Sequence, residues 1–187
     1  NPFSVALEGD GFFQIRTESG ELQYTRDGSF EISPVANGNM LCTSDGNPVL
    51  DAYGNQIILP SNRVATDLVV NQDGTLAFPD GTGNPAVITD ANGRPVKFGI
   101  YQFNNPAGLS KEGSNNYSVT VASGAAVAEN GNAAVKQTKT HQYYTEASNV
   151  DVANEMVNLI VAQRAYEMNS KAIQASDEMM QQANALR

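Results

Sequence analysis

The amino-acid sequence predicts a mainly β protein with a long C-terminal α-helix. The expected architecture is an antiparallel β domain, built as a partly open barrel or a folded sheet, followed by one extended helix of coiled-coil type. Three observations carry this. Eight Asp-Gly or Asn-Gly dipeptides punctuate the first 147 residues. No 3.6-residue apolar period occurs before about residue 147. From Asn149 to Leu186 there is neither Gly nor Pro, unlike any earlier stretch of that length.

The turn dipeptides are Asp10-Gly11, Asp27-Gly28, Asp45-Gly46, Asp73-Gly74, Asp80-Gly81, Asn37-Gly38, Asn92-Gly93 and Asn130-Gly131. Both kinds accept positive φ, as two-residue type I′ hairpin turns require, so such turns are expected there. The segments between them have the length and alternation of strands. Phe3–Leu7 and Phe12–Ile15 flank Gly9-Asp10-Gly11, and Leu22–Thr25 and Ser29–Ile32 flank Arg26-Asp27-Gly28. Met40–Thr43, Pro48–Leu50, Gln56–Leu59, Leu68–Val70, Thr75–Phe78, Val87-Ile88, Val96–Phe103 and Tyr117–Val121 continue the series. Residues 1–122 read as the β-rich domain and 123–147, small and polar, as an extended connector with one or two strands.

Residues 148–187 form the C-terminal helix. Ser148 or Asn149 can cap it, and Asp151 and Glu155 suit its positive N-terminal end. At 1.5 Å per residue, 38 helical residues span roughly 57 Å, well beyond the width of a small domain. The apolar residues fall in two stripes. One runs Val150, Ala153, Val157, Ile160/Val161, Ala165, Met168, Ala172, Ala175, Met179 and Leu186. The other runs Val152, Met156, Leu159, Tyr166, Ile173 and Met180. Two stripes imply burial on more than one side. The Ala-rich stripe approaches a heptad after Val161, a pattern that permits close helix approach.

Charge and composition exclude several functions. The formal net charge is −9, which repels phosphate backbones, so nucleic acid is not an expected partner. Seven of the nine excess negative charges lie in residues 1–148, and the helix is nearly balanced. One Cys and one His make neither an intramolecular disulfide nor a Cys/His zinc cage. No apolar run is long enough to insert in a membrane as a helix. His141 lies in Lys139-Thr140-His141-Gln142-Tyr143 with no nucleophile elbow in the chain, and reads as a surface or interface residue. Cys42 sits among Met40 and Leu41 and reads as a small buried hydrophobe. Asp73-Gly74-Thr75 and Asp80-Gly81-Thr82 superficially suggest metal loops, but turn chemistry accounts for them. Gly9-Asp10-Gly11 has no following helix to make it a phosphate loop. No catalytic residue, cofactor or metal is expected.

Two blocks of sequence resemble the axial proteins of the bacterial flagellum, the rod and hook family. The first is Val5-Ala6-Leu7-Glu8-Gly9-Asp10-Gly11-Phe12-Phe13, with Tyr24-Thr25-Arg26-Asp27-Gly28-Ser29-Phe30 and Thr43-Ser44-Asp45-Gly46-Asn47-Pro48-Val49. The second is Ala147-Ser148-Asn149-Val150-Asp151-Val152 through Asn158, then Gln163-Arg164-Ala165-Tyr166-Glu167-Met168-Asn169-Ser170-Lys171-Ala172-Ile173. The match is closest in style to rod proteins of the distal rod; a proximal rod or hook paralogue remains an alternative, and a secreted β-rich binding module is the rival outside the family.

The resemblance implies a non-enzymatic building block of a helical tube that transmits torque and encloses an export channel. Its implied partners are copies of itself, neighbouring rod and hook proteins and the flagellar export apparatus, and its implied location is the basal body. It also implies an N-terminal helix before Asn1 to pair with the C-terminal one. The expected assembly interface is Val150, Val157, Leu159, Ile160, Arg164, Ala165, Tyr166, Met168, Ala172, Ile173 and Met179, with Arg164 and Glu167 in polar contacts between helices.

Overall fold

A computed structural model describes residues 1–80, 85–147 and 151–185. The chain divides into two units, residues 1–146 and 147–187. In the first, the described strands all pair antiparallel, two short 3-10 helices (Ala65–Asp67 and Pro106–Gly108) join them, and the sheets do not close into a barrel. The second contains one helix, α1 (Val152–Ala185).

The largest sheet has six strands: β2 (Phe12–Arg16), β3 (Leu22–Thr25), β10 (Ile100–Gln102), β11 (Ser110–Gly113), β12 (Asn116–Ser118) and β13 (Val127–Ala128), in the order β11-β12-β3-β2-β10-β13. Around it lie β1 (Val5–Glu8) paired with β14 (Lys139–Gln142), then β4 (Glu31–Val35), β5 (Gly38–Cys42) and β6 (Ile58–Leu59). A last sheet holds β7 (Val69–Val70), β8 (Leu76–Pro79) and β9 (Pro85–Val87).

Strand β2 is the hub. Successive side chains on a strand point to opposite faces, so Phe12 and Phe13 serve two different cores. Phe13 packs edge-on against Phe30 and Phe98, with ring centroids 5.0 and 5.2 Å away. Val5, Ile15, Leu41, Val49, Ile57, Leu59, Leu68 and Leu76 complete that core, each nearly or fully buried. Phe12 meets Phe103 and Tyr117 at 5.5 and 5.8 Å, beside Tyr24 and Leu109.

Three closed rings of backbone hydrogen bonds tie the short strands together. Leu41 donates to Ile57, Ile57 to Val49, and Val49 back to Leu41. Leu76, Val96 and Ile88 repeat the cycle, and so do Gln14, Gly99 and Leu50. In each ring a residue gives its N–H to one neighbour and its C=O to the other. Three strands thereby satisfy one another without a free edge at that level.

The turns differ from the sequence expectation. Five of them share one five-residue form: 17–21, 43–47, 51–55, 71–75 and 90–94. In each, the fourth residue donates to the first carbonyl and the first residue donates to the fifth. The fourth is always glycine, at φ of +85°, +83°, +83°, +81° and +74°. This is a three-residue loop with one left-handed position, a type I turn closed by a bulge. It needs one glycine, not two consecutive positive-φ residues. Asp45-Gly46, Asp73-Gly74 and Asn92-Gly93 therefore mark turns as expected, but not type I′ turns. The pair of adjacent left-handed residues that a type I′ turn requires occurs at Ser114-Asn115, between β11 and β12. At Asn37-Gly38 the two-residue loop is Ala36-Asn37, because Gly38 already pairs with Val35.

Asp27-Gly28 is no hairpin turn. The Gly28 carbonyl accepts from the Val5 N–H, and a Cβ at Gly28 would stand 1.7 Å from the Val5 carbonyl oxygen. The expected strand Tyr117–Val121 stops at Ser118, because Thr120 turns the chain: its hydroxyl accepts from the N–H groups of Ala122 and Ser123. Residues 123–147, read as a connector, include β13 and β14 and bury Ser123, Glu129, Thr138 and Thr140. The end of the expected Asp80-Gly81 turn lies outside the described residues.

Gly28→Ala and Gly20→Ala separate the two reasons for glycine. Gly28→Ala should abolish folding of the β unit or lower its Tm by more than ~10 °C, since main chain must move. Gly20→Ala, with open space but φ of +85°, should cost roughly 1 kcal/mol. Thermal unfolding by circular dichroism measures both.

Candidate assembly interface

Asp151 caps α1. Its carboxylate accepts from the Ala153 N–H at 3.0 Å, and its carbonyl takes the first helical bond, from Glu155. The alternative caps Ser148 and Asn149 lie outside the described residues, as do Val150 and Leu186. No glycine or proline interrupts the 34 residues, which extend about 51 Å.

Every described residue of the expected interface is exposed along α1: Val157, Leu159, Ile160, Arg164, Ala165, Tyr166, Met168, Ala172, Ile173 and Met179. The large apolar ones among them range from 51% exposure at Ile160 to 78% at Tyr166. The other stripe members Val152, Met156, Val161 and Met180 are equally open. Arg164 and Glu167 are exposed as well. The helix thus shows water large apolar side chains on more than one side.

The β unit carries a second group of residues that pattern reading missed. Arg26 reaches across the Gly9–Gly11 turn. Its guanidinium donates to the carbonyls of Gly9 and Gly11 at 2.9 and 3.0 Å and pairs with Glu146 at 2.9 Å. Tyr143, at φ +68°, donates its N–H to the Ser4 carbonyl. A bulky residue in the left-handed region is strained, and the β1–β14 pairing on one side and Glu146 on the other hold it there. Residues 139–146 are in this way clipped onto the first strand, immediately before the second unit begins.

Glu129 is the other missed residue. Its buried carboxylate accepts from the Thr138 N–H and hydroxyl at 2.8 and 2.7 Å and from Gln102 at 2.7 Å. Thr138 in turn accepts from the Gly11 N–H. A polar segment with few apolar residues is thereby packed by hydrogen bonds, a mode that apolar periodicity does not register. The signal available in the sequence was only an acidic residue isolated among small ones.

The candidates for chemistry take structural roles. Burial and the nearby Glu31 charge push the Cys42 thiol up, away from reactivity, and its Sγ donates to the Glu31 carbonyl. His141 Nε2 lies 2.7 Å from Glu8 on the exposed face of the β1–β14 pair. That hydrogen bond, aided by the charges of His141 and Lys139, holds the Glu8 carboxyl below its ordinary value. A cleft of about 310 Å³ lies between the 51–55 and 90–94 turns. Its carboxylates are committed: Asp51 accepts from Tyr53 and Asn55, and Asp90 from Asn92 and Arg94. Among the described residues no group of three or more His, Cys, Asp or Glu could hold a metal ion, and no helix is long and apolar enough to cross a membrane.

Burial pushes the carboxyls of Asp73 and Asp27 up, but hydrogen bonds outweigh it. Thr75 donates to Asp73, Ser29 and Asn115 donate to Asp27, and both carboxyls end below the ordinary 3.8. A depressed folded-state value means stabilisation that is complete above 3.8 and lost as pH falls through the depressed value. The Tm of the β unit should therefore hold steady down to about pH 5 and fall below about pH 4. An Asp27→Asn/Asp73→Asn double variant should show a shallower acid limb in thermal melts across that range.

Two family models match the chain. Residues 6–78 match a family model described as the D1 domain of the flagellar hook protein FlgE/F/G. Residues 141–186 match the C-terminal model of the flagellar basal-body rod FlgEFG proteins. Flagellar basal-body rod protein FlgG of Borreliella burgdorferi is 40% identical over 187 residues, covering 98% of this chain and 64% of its own length. FlgG of Caulobacter vibrioides is 36% identical, covering 100% and 65%. The flagellar hook-basal body complex protein FlhP of Bacillus subtilis is 37% identical, covering 90% and 59%. The chain spans less than two thirds of the length of these curated relatives, from 59% to 65%. With both of its units matched, and with relatives along nearly all of it, the chain belongs to the family of flagellar basal-body rod and hook proteins.

Proposed function

We propose that this chain is part of a structural, non-enzymatic subunit of the flagellar rod, most akin to the distal rod protein FlgG, that assembles with copies of itself and with neighbouring axial proteins into a helical tube. The observation that carries the reading is the 34-residue helix with exposed apolar stripes, attached to a β unit that is complete on its own. In this reading residues 148–187 form the axial layer, 1–122 the outer layer and 123–147 the connection. The tube transmits torque and encloses the export channel, and the subunit leaves the cell through the flagellar export apparatus. The match to FlhP supports another axial paralogue as the second reading.

Deletion of the gene should abolish swimming and the external filament. The intact gene should restore both, and a gene lacking codons 149–187 should restore neither. A deletion strain that swims normally contradicts the proposal, and rescue by a known distal-rod gene separates the two readings. Ala165→Asp should block rod assembly by placing a charge in a packed helix seam, while leaving the β unit's Tm unchanged. Normal basal bodies from that variant would show that Ala165 is not buried in the assembly.

A further inference from the structure

Strand β14 is held by side chains as well as by its ladder with β1. Thr140 gives its hydroxyl to the Asn71 carbonyl. Gln142 donates to the carbonyls of Pro2 and Leu68, both at 2.7 Å, and accepts from the Val70 N–H at 3.0 Å. Beyond Gln142 the anchoring thins. Tyr143 keeps one backbone bond, to the Ser4 carbonyl at 2.8 Å, and makes it in the left-handed conformation at φ +68°. Residues 143–147 are all exposed. Tyr144 adds an edge contact with the His141 ring, 6.2 Å between centroids. Among the described residues of 144–147, Glu146 alone has a hydrogen bond or ion pair to the rest of the β unit, and its partner is Arg26. Arg26 divides its guanidinium between two tasks. Nη1 donates to the carbonyls of Gly9 and Gly11, with Nη2 at 3.5 Å from the Leu7 carbonyl. Nε donates to Glu146 at 2.9 Å.

Resting on the rod reading, we propose that Arg26 is a positioning residue for assembly: through Glu146 it holds residues 143–146 on the β unit and so fixes the point from which residue 147 continues. The closed arrangement is finely balanced. An exposed ion pair contributes little, and a tyrosine in the left-handed region costs a comparable amount. Loss of one partner therefore shifts the local equilibrium of this short segment, while the two cores that hold the β unit together are untouched. Released, the four residues 143–146 would supply up to about 14 Å of slack ahead of residue 147. A tube of identical subunits repeats one geometry at every copy, and slack at this point would give each copy a different one. Because separate N–H groups of Arg26 serve the two tasks, removing the Glu146 carboxylate frees residues 143–146 and leaves the Gly9 and Gly11 carbonyls bonded.

Substitutions in the full-length protein test this, by amide hydrogen exchange on the purified chain and by swimming and basal-body counts in its own bacterium. Glu146→Ala should lower the protection factor of the amide at position 143 by up to about fivefold, with the Tm of the β unit within about 2 °C of its starting value. Arg26→Ala should lower that protection equally and also lower the Tm, since the Gly9 and Gly11 carbonyls lose their donor. The Arg26→Ala/Glu146→Ala double variant should lose no further protection at position 143, as expected for two partners of one contact. Tyr143→Asn relieves the left-handed strain and should raise the protection factor roughly threefold, alone or combined with Glu146→Ala. In cells, Glu146→Ala should give fewer complete basal bodies and a smaller swimming halo, and adding Tyr143→Asn should recover both. A role in core stability alone would show no such recovery. Unchanged protection at position 143 in Glu146→Ala overturns the proposal. A Tm loss of more than about 5 °C in that variant also overturns it, since Glu146 would then be part of the fold itself. Normal basal bodies and swimming despite lowered protection overturn it too, leaving the rod reading intact. Absence of the unsubstituted protein from basal bodies removes the rod reading itself, whatever the exchange shows.

Discussion

Apolar surface left in water costs roughly 25 cal/mol per Å², and a lone helix owes most of its stability to burying such surface. Helix α1 exposes large residues from Val152 to Met180 on two sides. The helix carries no glycine or proline along its length. In the proposed rod subunit, that surface is covered by neighbouring helices. The β unit buries its own cores, whereas α1 leaves its apolar residues exposed.

The β unit achieves its independence with strands that are individually too short to be stable. Several have only two or three residues. Closed hydrogen-bond rings, such as Leu41–Ile57–Val49, replace long ladders, and the repeated five-residue turns bring the strands to the corners of each ring. The aromatic residues of β2 then join two cores through one strand. At each ring the strands meet without a free edge. Arg26 and Glu146 fasten its last residues to its first strand. That places a firm attachment at the end of the β unit, just before residue 147.

Much of this was legible in the sequence, and the parts that were not share a cause. Glycine in Asp45-Gly46, Asp73-Gly74 and Asn92-Gly93 announced turns because left-handed backbone is costly for other residues. The dipeptide alone could not say whether one or two residues would be left-handed, and so the turn type was misread. Alternation located strands such as Leu22–Thr25. The rings were invisible because they join residues as distant as Gln14, Leu50 and Gly99. Gly28 was flagged as a turn, whereas its lack of a Cβ serves a close approach by β1. Glu129 and Thr138 were hidden because hydrogen bonds, not apolar pattern, bury them. The stripes of α1 were readable, since helical spacing is local, but the surface that covers them is not encoded within a helical turn.

Electron cryomicroscopy of the assembled rod, at a resolution that shows side chains, tests the central claim most directly. The account predicts Val157, Ile160, Tyr166, Ile173 and Met179 in contact with side chains of other helices, with α1 continuous through residue 180. A rod in which these residues face water, or in which α1 is absent from the packed wall, would contradict it.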